Sequence, residues 1–256
     1  MDDIVLKTEG LTKHYGGVHA LEDATFAIRK GEHVAIMGDN GAGKSTFVRQ
    51  ITAVESPTRG RIWFDGREVD FDGPLDAREA GIETVFQTLA LADDLDVPDN
   101  LFLGREKTLL RLGPFSILDY RAMRRATEEG LRRTAVKIPN LNNPIRNMSG
   151  GQRQCVAIAR TATFHSKLTI MDEPTAALGV QETAQVENII RNLKEQGEPL
   201  ILISHNMRQV FDLVDRIIVF RRGRIVANLN KEDTDGQDVV AYITGAKTGA
   251  EYQDAA

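Results

Sequence analysis

The sequence predicts an α/β fold: a mixed, mostly parallel sheet with an N-terminal antiparallel β subdomain and an inserted helical subdomain. Three observations carry this. In the second half, apolar strands alternate with helical stretches: "KLTIMD" (167–172), a helix from about 181 to 196, "PLILIS" (199–204), a helix near 207–214, then "RIIVF" and "RIVANL". Such alternation is the pattern of a parallel sheet covered on both faces. Earlier, the strand "HVAIM" (33–37) runs into a glycine-rich turn and then a helix, "KSTFVRQITAV" (44–54). Between these regions, residues 88–163 are first loop-rich and acidic, then helical, which reads as an insertion into the core.

The remaining elements follow in order. "IVLKTE" (4–9) and "ATFAIR" (24–29) are β-rich, and "GRIWFDGREV" (60–69) reads as a hairpin turning at Asp65-Gly66. "GIETVFQ" (81–87) reads as a strand ended by Gln87. In the insertion, Asp119 reads as an N-cap, with Tyr120, Met123, Thr127 and Leu131 on one helical face and the basic residues on a solvated one. Ser149 reads as the N-cap of a further helix, "SGGQRQCVAIAR" (149–160), where Gly150 and Gly151 leave backbone N–H groups uncovered. The whole reads as one domain over 1–245, with a small, polar, disordered tail at 246–256.

Bulk properties narrow the function classes. The chain has 256 residues, with 41% hydrophobic and 27% charged, as soluble globular proteins have. Its net charge is −5, whereas nucleic-acid binders are more often basic, so no nucleic-acid partner is expected. Cys155 is the single cysteine, which excludes a disulfide within the chain and reads as a small buried hydrophobe. No run approaches the roughly 20 apolar residues of a membrane-spanning helix. The acidic start "MDDIVLKTEG" lacks a signal-peptide core, so the expectation is a cytosolic protein that reaches a membrane only through a partner.

The motifs point to phosphate chemistry. "GDNGAGKS" (38–45) matches G-x-x-x-x-G-K-[ST] between a strand and a helix, the context of a P-loop NTPase core. Gly38, Asp39, Asn40, Gly41, Ala42, Gly43, Lys44, Ser45 and Thr46 are therefore the candidate nucleotide-binding loop. Its backbone N–H groups would close on the β-phosphate, and Lys44 would reach the β- and γ-phosphates. Ser45 would ligate Mg²⁺, and Thr46 would touch the α-phosphate. "LTIMDEP" (168–174) ends an apolar strand in Asp172, which can hold Mg²⁺ through water, followed by Glu173, which can face an attacking water. Pro174 is expected to keep Glu173 extended. His205 in "LISHN" (202–206) closes another strand at the same carboxyl edge, placed for a γ-phosphate. His14, His19, His33 and His165 read as structural or surface histidines. The Gln87 amide can reach Mg²⁺ or the water, and Tyr15 in "KHYGG" can stack on a flat base.

"GDNGAGKST", Gln87, "MSGGQ", "LTIMDEP" and "ISHN", in this order over about residues 4–244, resemble the nucleotide-binding subunit of an ABC transporter. The resemblance implies ATP and Mg²⁺ as ligands. It implies that Ser149, Gly150, Gly151 and Gln152 bind the γ-phosphate of ATP held by a partner subunit, in a head-to-tail dimer. It also implies transmembrane permease subunits, and a peripheral place on the cytoplasmic face of the bacterial inner membrane. Two positions depart from the family pattern: Met148 replaces the usual leucine, and Gly179 stands where many members have aspartate. The stretch 81–106 with "TAALGV" (175–180) resembles ATPases of ribose-, xylose- and fructose-type sugar importers, which implies a periplasmic sugar-binding protein as an indirect partner. Most of those ATPases fuse two such domains. One domain here predicts a homodimer. An importer of amino acids or lipids, or a soluble non-transport ATPase, is the alternative.

Overall fold

The computed structural model describes residues 3–112, 115–164, 166–176 and 178–248. In chain order the elements are β1 (Ile4–Tyr15), β2 (Val18–Arg29), β3 (His33–Met37), α1 (Lys44–Ile51), β4 (Arg59–Phe64), β5 (Arg67–Val69), α2 (Pro74–Ala80) and β6 (Ile82–Val85). Next come α3 (Val97–Phe102), β7 (Thr108–Leu112), β8 (Phe115–Leu118), α4 (Tyr120–Arg133), α5 (Gly150–Thr163), β9 (Leu168–Asp172) and α6 (Val180–Glu195). The chain continues with β10 (Leu200–Ile203), α7 (Met207–Leu213), β11 (Arg216–Arg221), β12 (Arg224–Asn230) and α8 (Gly236–Thr244). Two compact units form: Met1–Thr84 with Lys167–Glu173 and Lys194–Ala256, and Val85–Ser166 with Pro174–Leu193. The second unit thus takes in more chain than the expected insertion at 88–163.

The first unit holds two sheets. A four-stranded antiparallel sheet has the order β2-β1-β4-β5, and a six-stranded sheet the order β12-β11-β3-β10-β9-β6. In the latter, β11, β3, β10 and β9 run parallel, and β12 turns back antiparallel on β11. Strands β3 and β10 are buried along their whole length, which is why they read as continuous apolar runs rather than alternating ones. Arg216 ties the two sheets together. Its guanidinium donates to the Glu32 carboxylate at 2.6 Å, to the Ala27 carbonyl of β2 at 2.6 Å and to Asn228 Oδ1 at 3.3 Å.

The second unit has its own core of Val97, Leu101, Phe102, Met123, Leu131 and Met148 with their neighbours. Asp119 caps α4 by accepting from the Ala122 N–H at 2.8 Å, as its position predicts. Met123, Thr127 and Leu131 are buried, but Tyr120 is exposed: the first residue past the cap has no preceding turn to pack beneath it. Gly130 lets α4 approach α5, since a Cβ there would sit 2.0 Å from Thr163 Oγ1. Cys155 is buried, and burial pushes its thiol up to about 11.

Other expectations shift at element ends. The helix expected over 44–54 stops at Ile51, because Ala53 turns left-handed with φ +54°. The strand expected over 81–87 ends at Val85, so Gln87 lies in the exposed loop beyond it. Residues 246–248 follow the α8 cap at Gly245, with the Lys247 N–H donating to the Ala241 carbonyl at 3.0 Å. Residues 249–256 and His165 lie outside the described residues. No helix among the described residues is long and apolar enough to cross a membrane.

His33 begins β3 fully buried, with Nε2 3.0 Å from the Glu198 carbonyl and its backbone N–H on Asp215. Burial holds its pKa down to about 4, against an ordinary 6.5. The unfolded chain therefore binds the extra proton between these two values, and the folded chain does not. His33 contributes fully above pH 6.5 and loses that contribution as pH falls towards 4, by up to about 3 kcal/mol. Urea unfolding measured from pH 4.5 to 7 should show this slope, and His33→Gln should flatten it.

Candidate functional site

Parallel register builds one edge. Ile203 pairs with Ile36 on one side and with Asp172 on the other, so β3, β9 and β10 release their chains at the same level. The loop after β3 is held by sterics. A Cβ on Gly38 (φ +148°) would lie 2.3 Å from the Phe220 carbonyl oxygen, and one on Gly43 (φ +105°) 2.9 Å from the Ala20 carbonyl oxygen. Both neighbours are backbone, which cannot yield as a side-chain end does. Gly41 (φ +78°) faces open space, and Asp39 and Asn40 are exposed beside it. The Ala42 N–H donates to the Asp39 carbonyl at 3.1 Å, and the Ala42 carbonyl accepts from Gly223 at 2.9 Å. Lys44 Nζ donates to the Gly38 and Asp39 carbonyls at 2.7 and 3.0 Å, so the ammonium is set beneath its own loop. Gly43 caps α1, which puts Ser45 and Thr46 in its first turn.

At the end of β9, Asp172 is half-buried, and burial together with the Glu173 charge raises its pKa, against the pull of Lys44. Burial lowers the Lys44 pKa, while Glu173, Asp172 and Asp39 oppose that shift. Glu173 is not extended. Its φ is +50°, its N–H donates to the Ile203 carbonyl at 2.9 Å, and its Oε1 lies 2.8 Å from His205 Nδ1. These two bonds hold the residue in the left-handed region against the preference that Pro174 imposes. His205 is exposed at the mouth of this pair.

Tyr15 ends β1, with its hydroxyl on the Glu55 carboxylate, Lys13 Nζ 5.4 Å from its ring centroid, and its ring exposed. Its hairpin leads into Ala20, the residue that crowds Gly43. The first unit thus gathers Tyr15, the 38–46 loop, Asp172, Glu173 and His205. Gln87 and Ser149–Gln152 belong to the second unit.

There, Ser149 caps α5 in a reciprocal box: its Oγ accepts from the Gln152 N–H at 3.2 Å, and Gln152 Oε1 accepts from the Ser149 N–H at 3.0 Å. Gly150 is exposed. Gly151 is buried, and a Cβ on it would lie 2.1 Å from Glu182 Cγ. So only the first of the two glycines is open, and the second is there for close packing on α6. Gly179 also lies beside Glu182, where a Cβ would meet Glu182 Oε2 at 2.6 Å, the mobile end of that side chain. Sequence reasoning missed Glu182, since nothing local marks a residue thirty positions on as the floor of this turn.

The residues present fit a magnesium nucleotide. The loop offers an anion a helix N-terminus and a lysine. Burial and the Glu173 charge raise the Asp172 pKa, and a hydroxyl with a carboxylate is a hard oxygen donor set suited to Mg²⁺. Fold and site together define a P-loop nucleotide-binding ATPase.

The chain belongs to the ABC transporter family, whose model matches residues 21–176, and is an ATP-hydrolysing cassette of that family. It is 46% identical to the fructose import ATP-binding protein FrcA of Rhizobium meliloti, over 95% of each chain. It is 41% identical to the xylose/arabinose import ATP-binding protein XylG of Sulfolobus acidocaldarius, over 97% of each. Among solved structures, cbiO1 of Clostridium perfringens, part of the ABC transporter complex cbiONQ, superposes with a TM-score of 0.78 at 28% identity, covering 96% of each chain. The dimeric post-hydrolysis state of the cassette MJ0796 bound to ADP and Pi gives 0.74 at 26% identity, over 88% of this chain and 98% of that one.

The loop sterics have a direct test. Gly38→Ala should weaken binding of a fluorescent ATP analogue by roughly tenfold or more, since even 1.4 kcal/mol of displaced backbone costs that much. Unchanged affinity would mean that the Phe220 carbonyl does not set the loop.

Proposed function

We propose that this chain is the ATPase subunit of a monosaccharide importer of the fructose, ribose or xylose type. The observation that carries the reading is full-length similarity to two sugar-import ATP-binding proteins at above 40% identity. Residues 1–245 act as one nucleotide-binding domain with an inserted helical subdomain.

In this reading the loop 38–46 holds the phosphates of ATP, with Tyr15 stacking on the base. Ser45 and Asp172 would hold Mg²⁺. When bound, Mg²⁺ neutralises charge on the phosphate oxygens. Glu173 then accepts a proton from, or orients, the attacking water, and the carboxylate is aimed by its bond to His205. His205, exposed beside it, donates to the γ-phosphate. Lys44 and the dipole of α1 stabilise the charge that develops as the phosphoryl group leaves for water. Gly38, Gly41 and Gly43 let the backbone come close enough for this.

Two copies complete each site, with Ser149, Gly150, Gly151 and Gln152 of one cassette facing the γ-phosphate bound by the other. The capping box supports this, because it fixes the first turn of α5 with Gly150 bare at its tip. The subunit sits on the cytoplasmic face of the inner membrane against permease subunits, which receive sugar from a periplasmic binding protein. Exposed Leu109, Leu110, Phe115 and Ile117 on the β7–β8 hairpin form the kind of apolar patch that a protein partner covers.

Two experiments test the account. Ser149→Arg should bind ATP normally yet lose hydrolysis by at least about tenfold, while Glu173→Gln should form an ATP-dependent dimer on size exclusion. Normal turnover in Ser149→Arg would sink the composite site. Second, source cells carrying Glu173→Gln should lose uptake of one or two labelled monosaccharides from a panel. Unchanged uptake of every sugar would end the sugar reading and turn attention to amino acids and lipids.

A further inference from the structure

The β1–β2 hairpin carries a cluster that nucleotide chemistry does not use. His14 on β1 pairs in register with His19 on β2, one step below the Tyr15–Val18 pair that closes the turn. The two imidazoles stack nearly parallel, 3.9 Å between centroids at 17°. His14 Nε2 and His19 Nδ1 both point at one oxygen of Glu22, at 2.5 and 2.6 Å. The other Glu22 oxygen lies 3.5 Å from Arg59, and the Glu22 backbone N–H is tied to the Gly223 carbonyl at 2.7 Å. Three ligand atoms from two strands therefore converge within 4.8 Å of one another.

We propose that His14, His19 and Glu22 form a binding site for a borderline divalent d-block cation, of which zinc is the type. Two imidazole nitrogens with one carboxylate oxygen are the donors such ions take, and magnesium and calcium prefer all-oxygen sets. Arg59 approaches the other Glu22 oxygen at 3.5 Å, and a partner on the free oxygen of a ligating carboxylate helps to orient it. A tetrahedral zinc ion with bonds of about 2.0–2.1 Å spaces its ligand atoms by roughly 3.3 Å. The rings must therefore draw back from Glu22 by somewhat under 1 Å. His19 is 61% exposed and has the room, and the same exposure leaves a fourth position for water. The bound ion would clip the two strands together directly beneath their turn.

The test is calorimetric titration of the metal-free full-length protein with zinc chloride, without nucleotide, so that its outcome is independent of any role for Tyr15. One ion per chain should bind, and His19→Ala and Glu22→Gln should each weaken binding by tenfold or more. His205→Ala should bind zinc as the parent does. Zinc should raise the Tm of the parent but not of His19→Ala. Because His19 is largely exposed, its loss leaves folding intact, which circular dichroism checks. No binding at one equivalent, affinity unchanged in His19→Ala, or affinity lost in His205→Ala instead would each overturn the proposal.

Discussion

Ile203 sits between Ile36 and Asp172, paired in parallel register with both neighbouring strands. A slip of one residue on either side would turn each side chain to the opposite face of the sheet and carry Asp172 away from the level of the glycine loop. Because β3, β9 and β10 are buried on both faces, such a slip would press side chains of the wrong shape into two close-packed layers, and packing holds the register. The chemistry at the carboxyl edge depends on this. The loop 38–46, the Asp172–Glu173 pair and His205 come from three separate stretches, and only the strand pairing puts them side by side.

Around that edge, backbone approaches backbone more closely than side chains allow. Phe220 of β11 crowds Gly38, and Ala20 of β2 crowds Gly43. The glycine loop is therefore wedged between both sheets of the first unit. Arg216 fastens those sheets from the other end of β11, each of its three nitrogens donating to one of Glu32, Ala27 and Asn228. Removing its side chain would leave the half-buried Glu32 carboxylate with the Arg29 N–H but without its counter-charge. The loop is thus pre-set by tertiary packing, although its motif looks local.

What the sequence made legible was whatever chain-local physics decides. Asp119 and Ser149 cap their helices as their positions imply, and the glycine loop stands between a strand and a helix. Short elements were less visible. Helix α3 has a clear start signal in Asp96, which accepts from Asp99, and in Pro98, but six residues carry too little periodicity to stand out. The β7–β8 hairpin and α8 escaped for similar reasons. The burial of Gly151 could not be read at all, because its cause, Glu182, lies on another helix. The carboxylate of the same residue also reaches the space beside Gly179. Glu173 shows a local rule losing: the proline after it favours extended backbone, and two hydrogen bonds from β10 and His205 override it.

That override has an evolutionary side. A glutamate at φ +50° stores strain of about 1–3 kcal/mol, which a glycine or asparagine would largely relieve. On the proposed role of Glu173 in activating water, thermal robustness and turnover pull in opposite directions at this position. A library screened for heat resistance alone would enrich chains that had discarded the carboxylate, and silent cassettes would rise to the top of the ranking. The left-handed backbone at Glu173 is thus the conformational cost of holding a carboxylate against His205.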